Sequence, residues 1–104
     1  MHVQIINFKL KDLSEEEYFG IAKEIAPAYA KVQGLLSKVW IANSTTGVFG
    51  GVYFWNNRKA MEEFAETELF KKVATHPNLT NIISTDFAVM DGPTKTTRGF
   101  RAGE

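Results

Sequence analysis

Residues Gly34 to Trp55 form two arms rich in Val, Ile, Phe, Tyr and Trp, joined by Asn43-Ser44-Thr45-Thr46-Gly47. Two β-favouring runs separated by turn formers predict a hairpin. Both sides of each arm are apolar: Val39 and Ile41 fall on one face, Lys38 and Trp40 on the other. A hairpin apolar on both faces has to be covered twice. That requirement excludes an isolated ribbon and a sheet with one solvated side.

What covers the hairpin must come from a short chain. A length of 104 residues supports one core and one domain; residues 1–92 are expected to form it, with 93–104 as a C-terminal tail, flexible or serving as a dimer arm. Twelve basic residues balance twelve acidic ones, so charge offers no hold on nucleic acid or an anionic membrane. The absence of cysteine excludes disulfides, Cys-ligated zinc and a thiol nucleophile, and fits a reducing compartment. No run approaches the roughly 20 apolar residues of a membrane span, and Met-His-Val-Gln-Ile-Ile has no secretory pattern. A cytoplasmic protein is expected.

Before the hairpin, His2 to Leu10 alternates imperfectly and reads as a strand, with Val3, Ile5 and Asn7 on one face. Ser14 followed by Glu17 is a capping box, and Glu15 and Glu16 suit the positive end of a helix. Tyr18, Ala22, Ile25, Tyr29 and Val32 then recur at helical spacing. Pro27 falls within that stripe and predicts a bend or break. After the hairpin, Asn56 or Asn57 can cap a second helix burying Ala60, Met61, Phe64 and Ala65. Glu68 to His76 reads as a further helical segment with Leu69, Phe70 and Val73 inward, stopped by Pro77. Leu79 to Met90 is the last strand, alternating Ile83, Thr85, Phe87 and Val89 against Ile82, Ser84, Asp86 and Ala88.

The order β-α-β-β-α-β predicts an α+β, ferredoxin-like domain: one antiparallel four-stranded sheet with both helices on one face. The other face is expected to carry Trp40, Tyr53, Trp55, Val3 and Ile5. That much apolar surface calls for a homodimer packed sheet against sheet.

Gly34-Leu35-Leu36-Ser37-Lys38-Val39-Trp40, Gly50-Gly51-Val52-Tyr53-Phe54 and Phe87-Ala88-Val89-Met90 resemble the YdhR-like monooxygenases of the dimeric α+β barrel superfamily. The resemblance runs from the first strand to about Arg98. It departs at Ala42-Asn43, where relatives often carry an acidic residue, and at Phe49. It implies a homodimer and a cofactor-independent monooxygenase that combines molecular oxygen with an aromatic or polycyclic small molecule in a mostly apolar pocket. The alternatives are a non-oxidative cyclase or isomerase of the same fold, and a non-enzymatic small-molecule or haem-binding dimer.

Cofactor-free oxygenation needs an electron-rich substrate anion, a group that favours it, and a dry pocket. Asn7, His76 and Tyr53 are the catalytic candidates. Asn7 could hold a carbonyl or enolate oxygen, or simply bond a neighbouring backbone group; Tyr53 could donate a hydrogen bond. His76 reads as a general base, a haem ligand or a helix C-terminal residue near free carbonyls. Haem is disfavoured, because Ala74 stands where the ligand is expected and Phe64 where the resembled haem enzymes carry tryptophan. Lys38, Trp40, Trp55, Gly51 and Asp86 are the substrate-binding candidates. A cation alternating with Trp40 is paired, at an edge or functional; the tryptophans wall a pocket or pack an interface. Asp86 is a base or an ion-pair partner of Lys38 or Lys9. Gly50-Gly51 marks a bulge or a close approach by backbone or ligand. No metal site is expected.

Overall fold

The structure is a computed structural model describing residues 1–99. Strand β1 (His2–Leu10) leads into helix α1 (Glu15–Ala30), then β2 (Leu35–Asn43), β3 (Val48–Trp55), helices α2 (Arg58–Phe64) and α3 (Glu68–Ala74), β4 (Leu79–Ala88) and a short α4 (Asp91–Thr96). The four strands form one antiparallel sheet in the order β2-β3-β1-β4, the ferredoxin-like plan. Among the described residues no helix is long and apolar enough to cross a membrane.

Local chemistry fixes the helix starts. Ser14 accepts from the Glu17 amide at 3.1 Å while Glu17 accepts from the Ser14 amide at 3.0 Å, the reciprocal box read from the sequence. Asn57 caps α2 through the Ala60 amide, and Thr67 caps α3 through Phe70. Helix α1 does not break at Pro27 but continues to Ala30. A proline there deprives the Lys23 carbonyl of its amide partner; both residues are exposed, so water can take its place. Helix α4 was not foreseen, and residues 100–104, the end of the expected tail, lie outside the described residues.

The face assignment of the sheet needs one correction. Along β1 the even residues are buried under the helices and the odd ones point away. Pairing of Ile6 with Gly51 and of Gln4 with Tyr53 carries the buried face into β3; pairing of Trp40 with Gly51 and of Lys38 with Tyr53 carries it into β2. Trp40, Tyr53 and Trp55 therefore belong to the helix-covered side, not to the bare one. Tyr53 and Trp55 are among the most buried residues, stacked with 6.0 Å between centroids and packed on Phe64 and Tyr29. Val3 and Ile5 do face away from the helices, joined by Val39, Phe54, Ile83 and Phe87. Val39 is 51% exposed, Ile83 59% and Phe87 55%, so this face remains apolar and open.

The inward face of β1 holds two polar residues, His2 and Gln4, and both find partners. His2 Nε2 lies 2.6 Å from Asp86. Gln4 donates to Ser84 at 3.0 Å and accepts from the Trp55 indole at 3.0 Å. Buried polar groups persist when satisfied in this way.

Candidate functional site

Between α1, α3 and the inward sheet face lies a cavity of about 190 Å³. Helix α1 supplies Tyr18, Ile21, Ile25 and Tyr29; α3 supplies Leu69, Lys72 and Val73; the sheet supplies Phe8, Lys38, Trp40 and Tyr53. His76 and Leu79 close it at the turn into β4. Tyr18 and Tyr29 are eleven positions apart, about three helical turns, so both hydroxyl-bearing rings reach the same side of α1.

Lys38 is the polar centre of this wall. Its Nζ sits 3.4 Å from the centroid of Trp40, 3.5 Å from that of Tyr29 and 4.6 Å from that of Tyr53. Among the described residues no carboxylate pairs with it. Burial pushes its amine down to about 7, because an ammonium loses hydration there. The three π faces act in the opposite sense and favour the charged form. Burial and the ring faces thus pull the protonation of this amine in opposite directions on the wall of an apolar cavity.

A glycine makes this arrangement possible. A Cβ at Gly51 would lie 2.8 Å from Lys38 Cε and 3.3 Å from Tyr53 Cε1, so a side chain at this position would push the lysine off the path it takes over β3. At Gly50 a Cβ would run into the Ile6 carbonyl of the neighbouring strand. The glycine pair thus marks close approaches, by a side chain and by backbone. The register shift of β2 falls instead between Leu35 and Ser37.

The three tyrosines stay protonated. Burial raises Tyr18 to about 12 and holds Tyr29 above the usual phenol range; burial and the adjacent Tyr29 raise Tyr53 further. All three keep their protons at neutral pH. His76 Nδ1 accepts from the Asn78 amide at 3.1 Å, which in the neutral ring leaves the proton on Nε2.

The structure brings Lys38, Trp40, Tyr53 and His76 to one cavity, with Gly51 beneath the lysine chain. It does not bring the other candidates there. Asn7 points from the opposite sheet face, opposite Gly50 and Ile83. Trp55 is fully buried, its indole held by Gln4. Asp86 pairs with His2, not with Lys38 or Lys9. Sequence reading missed Tyr18, Tyr29 and Lys72 as cavity residues. The available signal was a pair of tyrosines in a helical stripe where Leu or Ile would suffice to fill a core. Among the described residues no group of three or more His, Asp or Glu is gathered so as to hold a metal ion.

Residues 3–100 match the model of a family described as "Putative mono-oxygenase ydhR". No curated protein matches the chain in sequence. Among solved structures, a heme-degrader of Mycobacterium tuberculosis, MhuD, with two hemes bound, superposes with a TM-score of 0.70 at 18% identity, covering 86% of this chain and 96% of that one. SnoaB of Streptomyces nogalater, a cofactor-independent oxygenase, gives 0.67 at 14% identity over 86% and 93%. A "putative antibiotic biosynthesis monooxygenase" of Deinococcus radiodurans gives 0.68 at 19% identity over 86% and 92%. At these identities the likeness establishes the shared fold.

Proposed function

Because the chain belongs to the ydhR mono-oxygenase family, we propose that its cavity oxidises a small phenolic aromatic with molecular oxygen and without a cofactor. The observation that carries this reading is Lys38, a carboxylate-free amine on the wall of an apolar chamber. A volume of about 190 Å³ falls below the roughly 300–1,000 Å³ of pockets for drug-sized ligands, which favours one or two fused rings over a larger polycycle.

The amine of Lys38 takes the phenolic proton, and as ammonium over three rings it remains beside the phenolate oxygen. Tyr53 and Tyr29 keep their protons and donate to the same oxygen or to the developing carbonyl. The phenolate is electron-rich enough to reduce oxygen directly. In balance, a naphthol and O₂ give a naphthoquinone and water: a ring C–H becomes C=O, and the second oxygen atom leaves as water. The substrate supplies all the electrons, and apolar walls keep bulk water from the reactive intermediates.

Haem fits this cavity poorly. Histidines that bind a metal through Nε2 usually donate Nδ1–H to an acceptor, whereas His76 accepts at Nδ1. The open apolar sheet face supports a homodimer in which a second copy covers Val39, Ile83 and Phe87. Oxygen uptake with a panel of hydroxylated one- and two-ring aromatics tests the chemistry. Uptake matched by quinone formation is expected; a product that forms as fast under argon would sink the oxygenase reading.

A further inference from the structure

An amine in this setting has a second chemistry open to it. A surface lysine is protonated and strongly hydrated, and adds to carbonyls slowly. Lys38 is largely withdrawn from water, has no carboxylate to hold its proton, runs over Gly51 and has its end held by Trp40, Tyr29 and Tyr53. Such a site favours an iminium over an ammonium. The iminium keeps the positive charge that the ring faces attract, yet carries fewer N–H groups that need hydration. Apolar walls also favour loss of water from the adduct, and buried lysines are those recruited for Schiff-base chemistry.

We propose that Lys38 forms a reversible imine with an aromatic aldehyde or aryl ketone held in this cavity. The nitrogen lone pair adds to the carbonyl carbon; the C=O π bond breaks and its oxygen takes a proton, giving a carbinolamine. That oxygen then departs as water carrying both amine hydrogens as C=N forms, and a proton taken from solvent makes the iminium, so that in balance an ammonium and a carbonyl give an iminium and water. Tyr29 and Tyr53, both protonated and with ring centroids 3.5 and 4.6 Å from Nζ, are the phenols this proposal assigns to relay those protons. No oxidant or reductant is consumed. Carbon acids next to the trapped carbonyl would become easier to deprotonate, which gives the cavity an activity that needs no oxygen. The inference requires only the cavity and its amine, so its failure leaves the oxygen reaction standing.

The test uses the wild-type protein with limiting 2-naphthaldehyde and sodium cyanoborohydride, followed by peptide mass spectrometry. Reduction freezes each imine as a naphthylmethyl adduct, and Lys59 serves as a reference on the surface. Lys38 is expected to be modified at least ten-fold faster than Lys59, with that preference lost in urea and at least ten-fold weaker for propionaldehyde. Modification of Lys38 no faster than Lys59 overturns the proposal, as does a Lys38 that takes both aldehydes equally well. A Lys38→Arg variant that retains its circular dichroism and thermal transition should lose the fast adduct; its persistence at another residue would assign the reactivity elsewhere.

Discussion

Replacing Lys38 by Met should stabilise the protein at neutral and acidic pH, by an amount that shrinks as the solution becomes alkaline. Burial lowers the amine from the ordinary 10.5 to about 7. Since the folded pKa lies below the unfolded one, the unfolded chain binds the extra proton between them, and wild-type stability rises with pH through that interval. At about 1.4 kcal/mol per pH unit, burial alone costs the wild type about 5 kcal/mol below pH 7. The three ring contacts return part of this, on the order of 1 kcal/mol each at a partly buried position. Met fills nearly the same volume with no charge to desolvate. Denaturant unfolding of both proteins from pH 6 to 10.5 should therefore show Lys38→Met ahead by about 2 to 5 kcal/mol at pH 6.5 and level near pH 10.5. The pH at which the gap begins to close reports the balance between burial and the rings. Tyrosine ionisation is common to both proteins and cancels in the difference. A gap that stays constant across this range, or a wild type that is the more stable at pH 6.5, would refute the picture of a desolvated amine.

Other changes test other parts of the structure. Gly51→Ala places a methyl group against Lys38 Cε and should cost about 1–3 kcal/mol in a melt while slowing naphthaldehyde capture; a neutral effect on both would mean that the lysine takes another path. Trp55→Phe leaves the Gln4 carbonyl oxygen without its indole donor and opens a void in the core, for an expected loss of about 2 to 4 kcal/mol in urea titration; a loss below about 1 kcal/mol would contradict the buried network. Val39→Glu combined with Phe87→Glu should halve the mass seen by light scattering while the monomer keeps its circular dichroism. An unchanged mass would remove the sheet face from the dimer model.

Element order was legible in the sequence because each signal was local. Ser14 with Glu17, Asn57 before Ala60 and the β-branched strands each speak for a few residues only. The division of Lys38 and Trp40 from Val39 and Ile41 was legible for the same reason, since alternation fixes relative faces. Which face meets the helices was not. Both sides are apolar, and β1 misleads by placing His2 and Gln4 inward; only strand pairing reveals that Asp86, Ser84 and Trp55 satisfy them. The site followed suit. Lys38 was conspicuous as a cation in an apolar strand, whereas Tyr29 looked like ordinary helix stripe until α1 was laid over the sheet. Asn7 was a reasonable amide candidate on the wrong side, separated from the cavity by one position of strand alternation.

The strand order also sets the sequence of events in which this chamber comes into being. Central β1 pairs with β4 from His2 opposite Ala88 to Leu10 opposite Leu79, so one of its two neighbours is the strand farthest along the described residues. Closing a loop of that length precedes any gain from the contacts it permits, and such non-local pairing slows folding. His76, just ahead of β4, and Leu79, at its start, line the cavity, so the wall around Lys38 is complete only once β4 has docked. Refolding followed by a probe on Lys38 should therefore lag behind one that follows the β2–β3 hairpin, whose turn joins strands only four residues apart in the chain, Ser44 to Gly47.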